Sequence, residues 1–121
     1  MPQAYHDNFV LLSEQGLNSA SGNITGGWFV LPNTKELRIT TIVANSDVTA
    51  GSVSVTIQTS PDGGLTAFTL ATTIALNVNS TTVSTPAANS YRHIRATMSE
   101  ALVTGQMDLD VRAHFLPESL I

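Results

Sequence analysis

The chain contains no cysteine, which excludes a disulfide scaffold and a thiolate active site and leaves the redox compartment open. Charge is scarce as well. Lys, Arg, Asp and Glu make up 12% of the 121 residues, with Lys35 the only lysine and a net charge of -4; an ordinary soluble domain carries about 25%. A surface so poor in lysine suits phosphate backbones poorly, since these need clustered cations, and nucleic acid is not expected as a partner. No apolar run approaches the ~20 residues of a membrane-spanning helix. The opening residues MPQAYHDNF lack the basic region and apolar core of a signal peptide, so neither membrane insertion nor Sec export is expected. The sequons at Asn23-Ile24-Thr25 and Asn79-Ser80-Thr81 then read as chance matches.

What fills the chain instead is serine and threonine, 28 residues together, which give a polar, uncharged surface and suit strands. The central stretch is SVSVTIQTSPDGGLTAFTLAT, residues 52–72. Val53, Val55 and Ile57 alternate with Ser54, Thr56 and Gln58, the period of a strand with one buried face. Ser60-Pro61-Asp62-Gly63-Gly64 then supplies turn chemistry: proline presets φ, aspartate bonds nearby backbone, and glycine accepts positive φ. A second β-rich run from Leu65 completes a hairpin.

Around this hairpin the pattern repeats. Residues 1–8 read as an irregular arm, 9–13 as a short strand and 15–27 as loop. The densest apolar run, Trp28 to Leu31, stops at Pro32. Residues 36–44 alternate, with Leu37, Ile39, Thr41 and Val43 on one face. Residues 91–99 place Ile94, Ala96 and Met98 inside. The last alternation puts Met107, Leu109, Val111, Ala113 and Phe115 inside and Asp108, Asp110, Arg112 and His114 outside, before an apolar tail over 116–121. About eight strands with turns every 8–12 residues and no helical pattern predict a single all-β domain over residues 1–121, an antiparallel β-sandwich that is jelly-roll-like. Alternation does not encode pairing order, so other Greek-key sandwiches stay open.

No constellation reads as catalytic, and no cofactor or metal is expected. His6, His93 and His114 lack zinc-site spacing. Asp108, Asp110 and His114 share one strand face, where solvation or a partner explains them better than a metal. Asp62 is a lone carboxylate in its turn, short of the six to eight oxygens calcium takes. Glu14, Glu36, Glu100 and Glu118 are scattered rather than paired across a cleft. No small-molecule substrate is implied. One of Trp28 and Phe29 is expected in the core, with a surface sugar-stacking platform as the alternative.

Three segments taken together resemble small β-sandwich structural proteins of tailed bacteriophages. They are Gln58 to Gly63 closing an alternating strand, Tyr91 to Arg95 as a Tyr-Arg-x-x-Arg-type strand, and the Thr104-Gly105 turn. Many of that group carry a tryptophan shortly after the Asp-Gly turn; this chain has Phe68. The resemblance covers roughly residues 36–115. It implies a virion component, most like a capsid decoration (cement) protein on the outer surface of the head, made in the host cytoplasm. The partner would be the major capsid protein, and the chain a homo-oligomer, dimer or trimer. On that reading the apolar ends, with Phe9, Leu12, Leu116, Leu120 and Ile121, are candidate partner-binding tethers; otherwise they close the sandwich. The alternative role is a tail-fibre, baseplate or carbohydrate-binding module.

Overall fold

Strands point successive side chains to opposite faces, so an alternating chain buries one face only by laying it against another sheet. The computed structural model, which describes residues 6–30, 34–84 and 93–117, does this with nine strands: β1 (His6–Leu17), β2 (Ile24–Thr25), β3 (Phe29–Val30), β4 (Thr34–Ala44), β5 (Ala50–Ser60), β6 (Phe68–Leu76), β7 (Ser80–Ser84), β8 (His93–Thr104) and β9 (Met107–Pro117). No helix occurs among the described residues. One sheet has the order β1-β9-β4-β7; the other has β2-β8-β5-β6, with β3 also pairing β8. Every pairing is antiparallel. The fold is an all-β antiparallel sandwich.

The pairings are nested. The first strand pairs the last (β1 with β9), β2 and β3 pair β8, β4 pairs β7, and β5 pairs β6. Each sheet is then completed by one further ladder, β4 with β9 and β5 with β8, in the middle. These four central strands supply most of the core. Val53, Val55 and Ile57 of β5 and Ile94, Ala96 and Met98 of β8 face Ile39 and Val43 of β4 and Leu109, Val111 and Ala113 of β9. Each fully buried aliphatic side chain of this kind contributes about 1.5–3 kcal/mol.

Several boundaries differ from the sequence-based expectation. Residues 6–8, expected in an arm, begin β1, and β1 runs on to Leu17 through a stretch expected as loop. The extension is possible because β9 continues alongside, pairing Glu14 with Leu109 and Leu17 with Met107 across a register shift. Strand β6 starts at Phe68 rather than Leu65, because the loop before it is held by its own polar contacts. Strand β8 continues to Thr104, leaving only Gly105 and Gln106 to cross between sheets. Gly105 has φ +95, and a Cβ there would lie 2.6 Å from the Asp47 carbonyl oxygen. That turn is pressed onto the β4–β5 loop, whose Asp47 carboxylate accepts the Gln106 N–H at 2.7 Å. The expected arm residues 1–5 and tail residues 118–121 lie outside the described residues.

Leu109 is 1% exposed at the centre of one sheet, whereas Val103 is 68% exposed. Leu109→Ala is expected to lower unfolding free energy by about 2–5 kcal/mol, and Val103→Ala to change it by no more than about 0.5 kcal/mol. Urea denaturation midpoints at constant slope check both.

Candidate interaction site

The hairpin expected at residues 60–64 forms, and its tip is organised by one buried hydroxyl. Ser60 is fully buried. Its Oγ accepts the N–H groups of Asp62 (3.2 Å) and Gly64 (2.8 Å) and donates to Asp62 Oδ1 (2.8 Å). Asp62 Oδ1 also accepts the Thr66 N–H at 2.8 Å. Serine and aspartate thus satisfy the backbone donors of a loop that has no strand partner. The Thr66 N–H, then the Ser60 hydroxyl, holds the Asp62 carboxyl below its ordinary value of 3.8.

Against this tip stands the only tryptophan. Phe29 pairs with Ile94 and packs on the core, so its neighbour Trp28 turns to the opposite, outer side, where Arg95 also lies. The Arg95 guanidinium carbon sits 4.4 Å from the Trp28 ring centroid. Arg95 Nε donates to Gln58 Oε1 at 2.8 Å, and Gln58 and Arg95 are register partners across β5 and β8. Gly64 has φ +110, and a Cβ there would lie 2.5 Å from Trp28 Nε1. The indole edge therefore rests on bare backbone, and only glycine permits it. His93, opposite Ser60, leaves Nδ1 buried without a hydrogen-bond partner. Tip, indole, guanidinium and amide form one continuous patch, half-buried at Trp28, Gln58 and Arg95. Of Trp28 and Phe29, one of which is expected in the core, Phe29 packs against the core while remaining partly exposed. The association of Trp28 with Arg95 and Gln58 was not foreseen, although alternation alone places Gln58 and Arg95 on outward faces.

The outer face of the other sheet carries Asp108 and Asp110 of β9. Asp108 accepts the Gly16 N–H at 2.9 Å and the Asn45 Nδ2 at 2.8 Å; these bonds, the Asn45 one foremost, lower its pKa from 3.8. Asp110 Oδ2 receives both Nε and Nη2 of Arg112 at 2.8 Å. Asp108 and Asp110 border a shallow groove of about 180 Å³ with Ser13, Gln15, Ile42 and Ala44. Among the described residues, no three His, Asp or Glu side chains are grouped closely enough to hold a metal ion.

The candidate tether residues are dispersed. Leu12 is buried in the core at 5% exposure, so its side chain closes the sandwich rather than meeting a partner. Phe9 lies in β1 opposite Ala113, and Leu116 lies in β9 opposite Glu36. Leu120 and Ile121 fall outside the described residues.

Because Asp62 has a depressed folded-state pKa, its contribution is complete above the unfolded value and is lost as pH falls through the folded value, below 3.8. Trp28 reports this. Its emission is expected to shift as pH drops below 3.8, while Asp62→Ala, which removes the Oδ1 acceptor of the Ser60 and Thr66 bonds, abolishes that step and gives a loosened-tip spectrum at neutral pH. Gly64→Ala is expected to shift the same emission at every pH.

Comparison with protein-family models, with curated proteins and with solved structures finds no match to this chain.

Proposed function

We propose that this chain is a structural protein of a tailed-phage particle, a capsid decoration protein that binds the outer surface of the major capsid protein lattice and stabilises the head. The observation that carries this reading is the meeting of two of the resemblance's three segments. Gln58, from the Gln-Thr-Ser-Pro-Asp-Gly segment, is hydrogen-bonded to Arg95 as its direct cross-strand partner; Arg95 closes the Tyr-Arg-x-x-Arg segment, whose Tyr91 and Arg92 lie outside the described residues. The Thr104-Gly105 turn then leads β8 into β9. Two segments far apart in sequence thus meet, as a shared fold requires, while the Thr104-Gly105 turn lies at the opposite end of β8, where Thr104 pairs with Ala50.

Taking β2 and β3 as one interrupted strand, the nested pairing is that of an antiparallel ribbon of eight strands folded over itself. We infer a jelly roll, an architecture used by viral capsid and lectin domains. Fold alone does not assign a role, but the chemistry points the same way. Asp47 and Asp62 hold backbone N–H groups of loops, Asp108 accepts that of Gly16 near the end of β1, and Glu100 accepts those of Gly22 and Leu102. These carboxylates secure the scaffold rather than converge on a substrate. A rigid, weakly charged scaffold suits repeated shape-complementary contacts on a symmetric shell, where modest single affinities multiply through multivalency.

A second reading, a tail-fibre, baseplate or carbohydrate-binding module, is favoured by Trp28 lying half-exposed beside Gln58 and Arg95. The guanidinium already occupies one side of the indole, which narrows the stacking surface left for a sugar.

Purified protein mixed with undecorated phage heads is expected to bind saturably at symmetry-related positions, seen by cryo-electron microscopy, and to raise the temperature at which heads release DNA. Absence of ordered, saturable density contradicts the proposal. A glycan-array signal lost in a folded Trp28→Ala variant supports the second reading instead.

A further inference from the structure

Sheet edges expose unpaired N–H and C=O groups, and proteins ordinarily blunt them with charge, bulges or brevity. Three of the four edges here are blunted. Edge strand β1 contains Asp7 and Glu14 and has three register shifts against β9. On the β8 side, β2 and β3 are two residues each. Strand β6 carries an extra residue at each of two register shifts against β5, which twists and bends an edge. The fourth, β7, has none of these devices. Its sequence is Ser-Thr-Thr-Val-Ser, without charge or proline. Its five pairs with β4, from Ile39↔Ser84 to Val43↔Ser80, run without a shift. Among the described residues no strand pairs its other side.

The neutrality extends well beyond β7. From Gly63 to Tyr91 the sequence contains no Asp, Glu, Lys, Arg or His. That segment includes β6 and β7, the edge strands of the two sheets that a short link at Asn77–Asn79 connects. It also holds Leu65, Phe68, Val78 and Val83, four of the seven large hydrophobic side chains exposed among the described residues. The acids of this net-negative chain lie outside this segment, so β6 and β7 themselves bring no like charge to a meeting of two identical copies.

We propose that β7 is a self-association strand: it pairs antiparallel with β7 of a second copy about a two-fold axis, joining two four-stranded sheets into one of eight. The register follows from side-chain alternation. Ser80 and Thr82 oppose Val43 and Thr41 on the inward side, Thr81 and Val83 oppose Ile42 and Thr40 on the outward side, and Ser84 is the register partner of Ile39. Like faces must oppose across the axis, so the axis passes through a residue pair, and Thr82 gives the greatest overlap. Thr82 then faces Thr82, Thr81 faces Val83, and Ser80 faces Ser84. Threonine pairs and threonine–valine pairs are favourable cross-strand neighbours. A two-fold contact of this kind is isologous and closes at a dimer, which avoids open-ended aggregation. The proposal rests on edge chemistry alone and stands or falls independently of head binding.

Sedimentation equilibrium of the full chain tests it. The expected mass at high concentration is twice the 12.8 kDa of one chain, falling toward one chain on dilution. A Thr81→Lys, Val83→Lys variant places like charges directly opposite in the dimer, as does a Thr81→Glu, Val83→Glu variant. Each is expected to raise the dimer dissociation constant about tenfold or more, with its circular dichroism unchanged because both side chains are exposed. Mixing the two restores a one-to-one dimer. Should either variant misfold, a Val83→Cys variant decides: in a chain with no other cysteine, one thiol per chain can be bridged only to a second copy, and a short bis-maleimide is expected to give a covalent dimer. A single-chain mass at every concentration, a dimer unaffected by either charge pair, or no covalent dimer overturns the proposal.

Discussion

The face-to-face burial of two central strand pairs, β5 with β8 and β4 with β9, is the constraint on which the rest of this molecule depends. Their inward residues are almost wholly aliphatic, while the outward residues between them are largely Ser, Thr, Gln, Asp and Arg. Burying that stripe on both sheets at once orients every other element. It leaves β1, the short β2 and β3, β6 and β7 as edges, and it brings the β4–β5 loop and the β8–β9 turn together at one end.

A chain so poor in charge secures its loops by other means. Small hydroxyls, amides and single carboxylates each satisfy backbone donors: Ser60 and Asp62 at the hairpin tip, Asp47 at the β8–β9 turn, and Asp108 where Gly16 meets Asn45. Glycine enters where two backbones, or a backbone and an indole, must touch, as at Gly105 and Gly64. The outer surface that results is polar but electrically quiet, suited to extended contacts with neighbours rather than to steering a charged ligand.

How much of this was legible beforehand depended on range along the chain. Alternation is local, so the inward faces at Ile94, Ala96 and Met98 and at Leu109 and Val111 were readable, as was the hairpin over Ser60 to Gly64. Pairing partners are distant, so nothing in residues 6–17 announced that β9 would extend β1 through Gly16 to Leu17. The same reason hid the site. Trp28, Gly64 and Arg95 are unremarkable separately, and only the β3–β8 and β5–β8 ladders bring them into contact. Leu12 misled as a tether because an apolar residue near a chain end looks alike whether it fills a core or reaches outward. The bare β7 edge lay in plain view as an uncharged segment, but its meaning required knowing that the strand is at an edge.

Native-state amide hydrogen exchange, resolved strand by strand and followed with concentration, tests this ordering of central and edge strands most directly. Amides of β5, β8, β4 and β9 are expected to exchange only through global unfolding. Outward-facing β7 amides are expected to exchange fast in dilute solution and to slow as the protein is concentrated. Rapid exchange in β5 and β8, or β7 protection that is already complete at high dilution, contradicts the account.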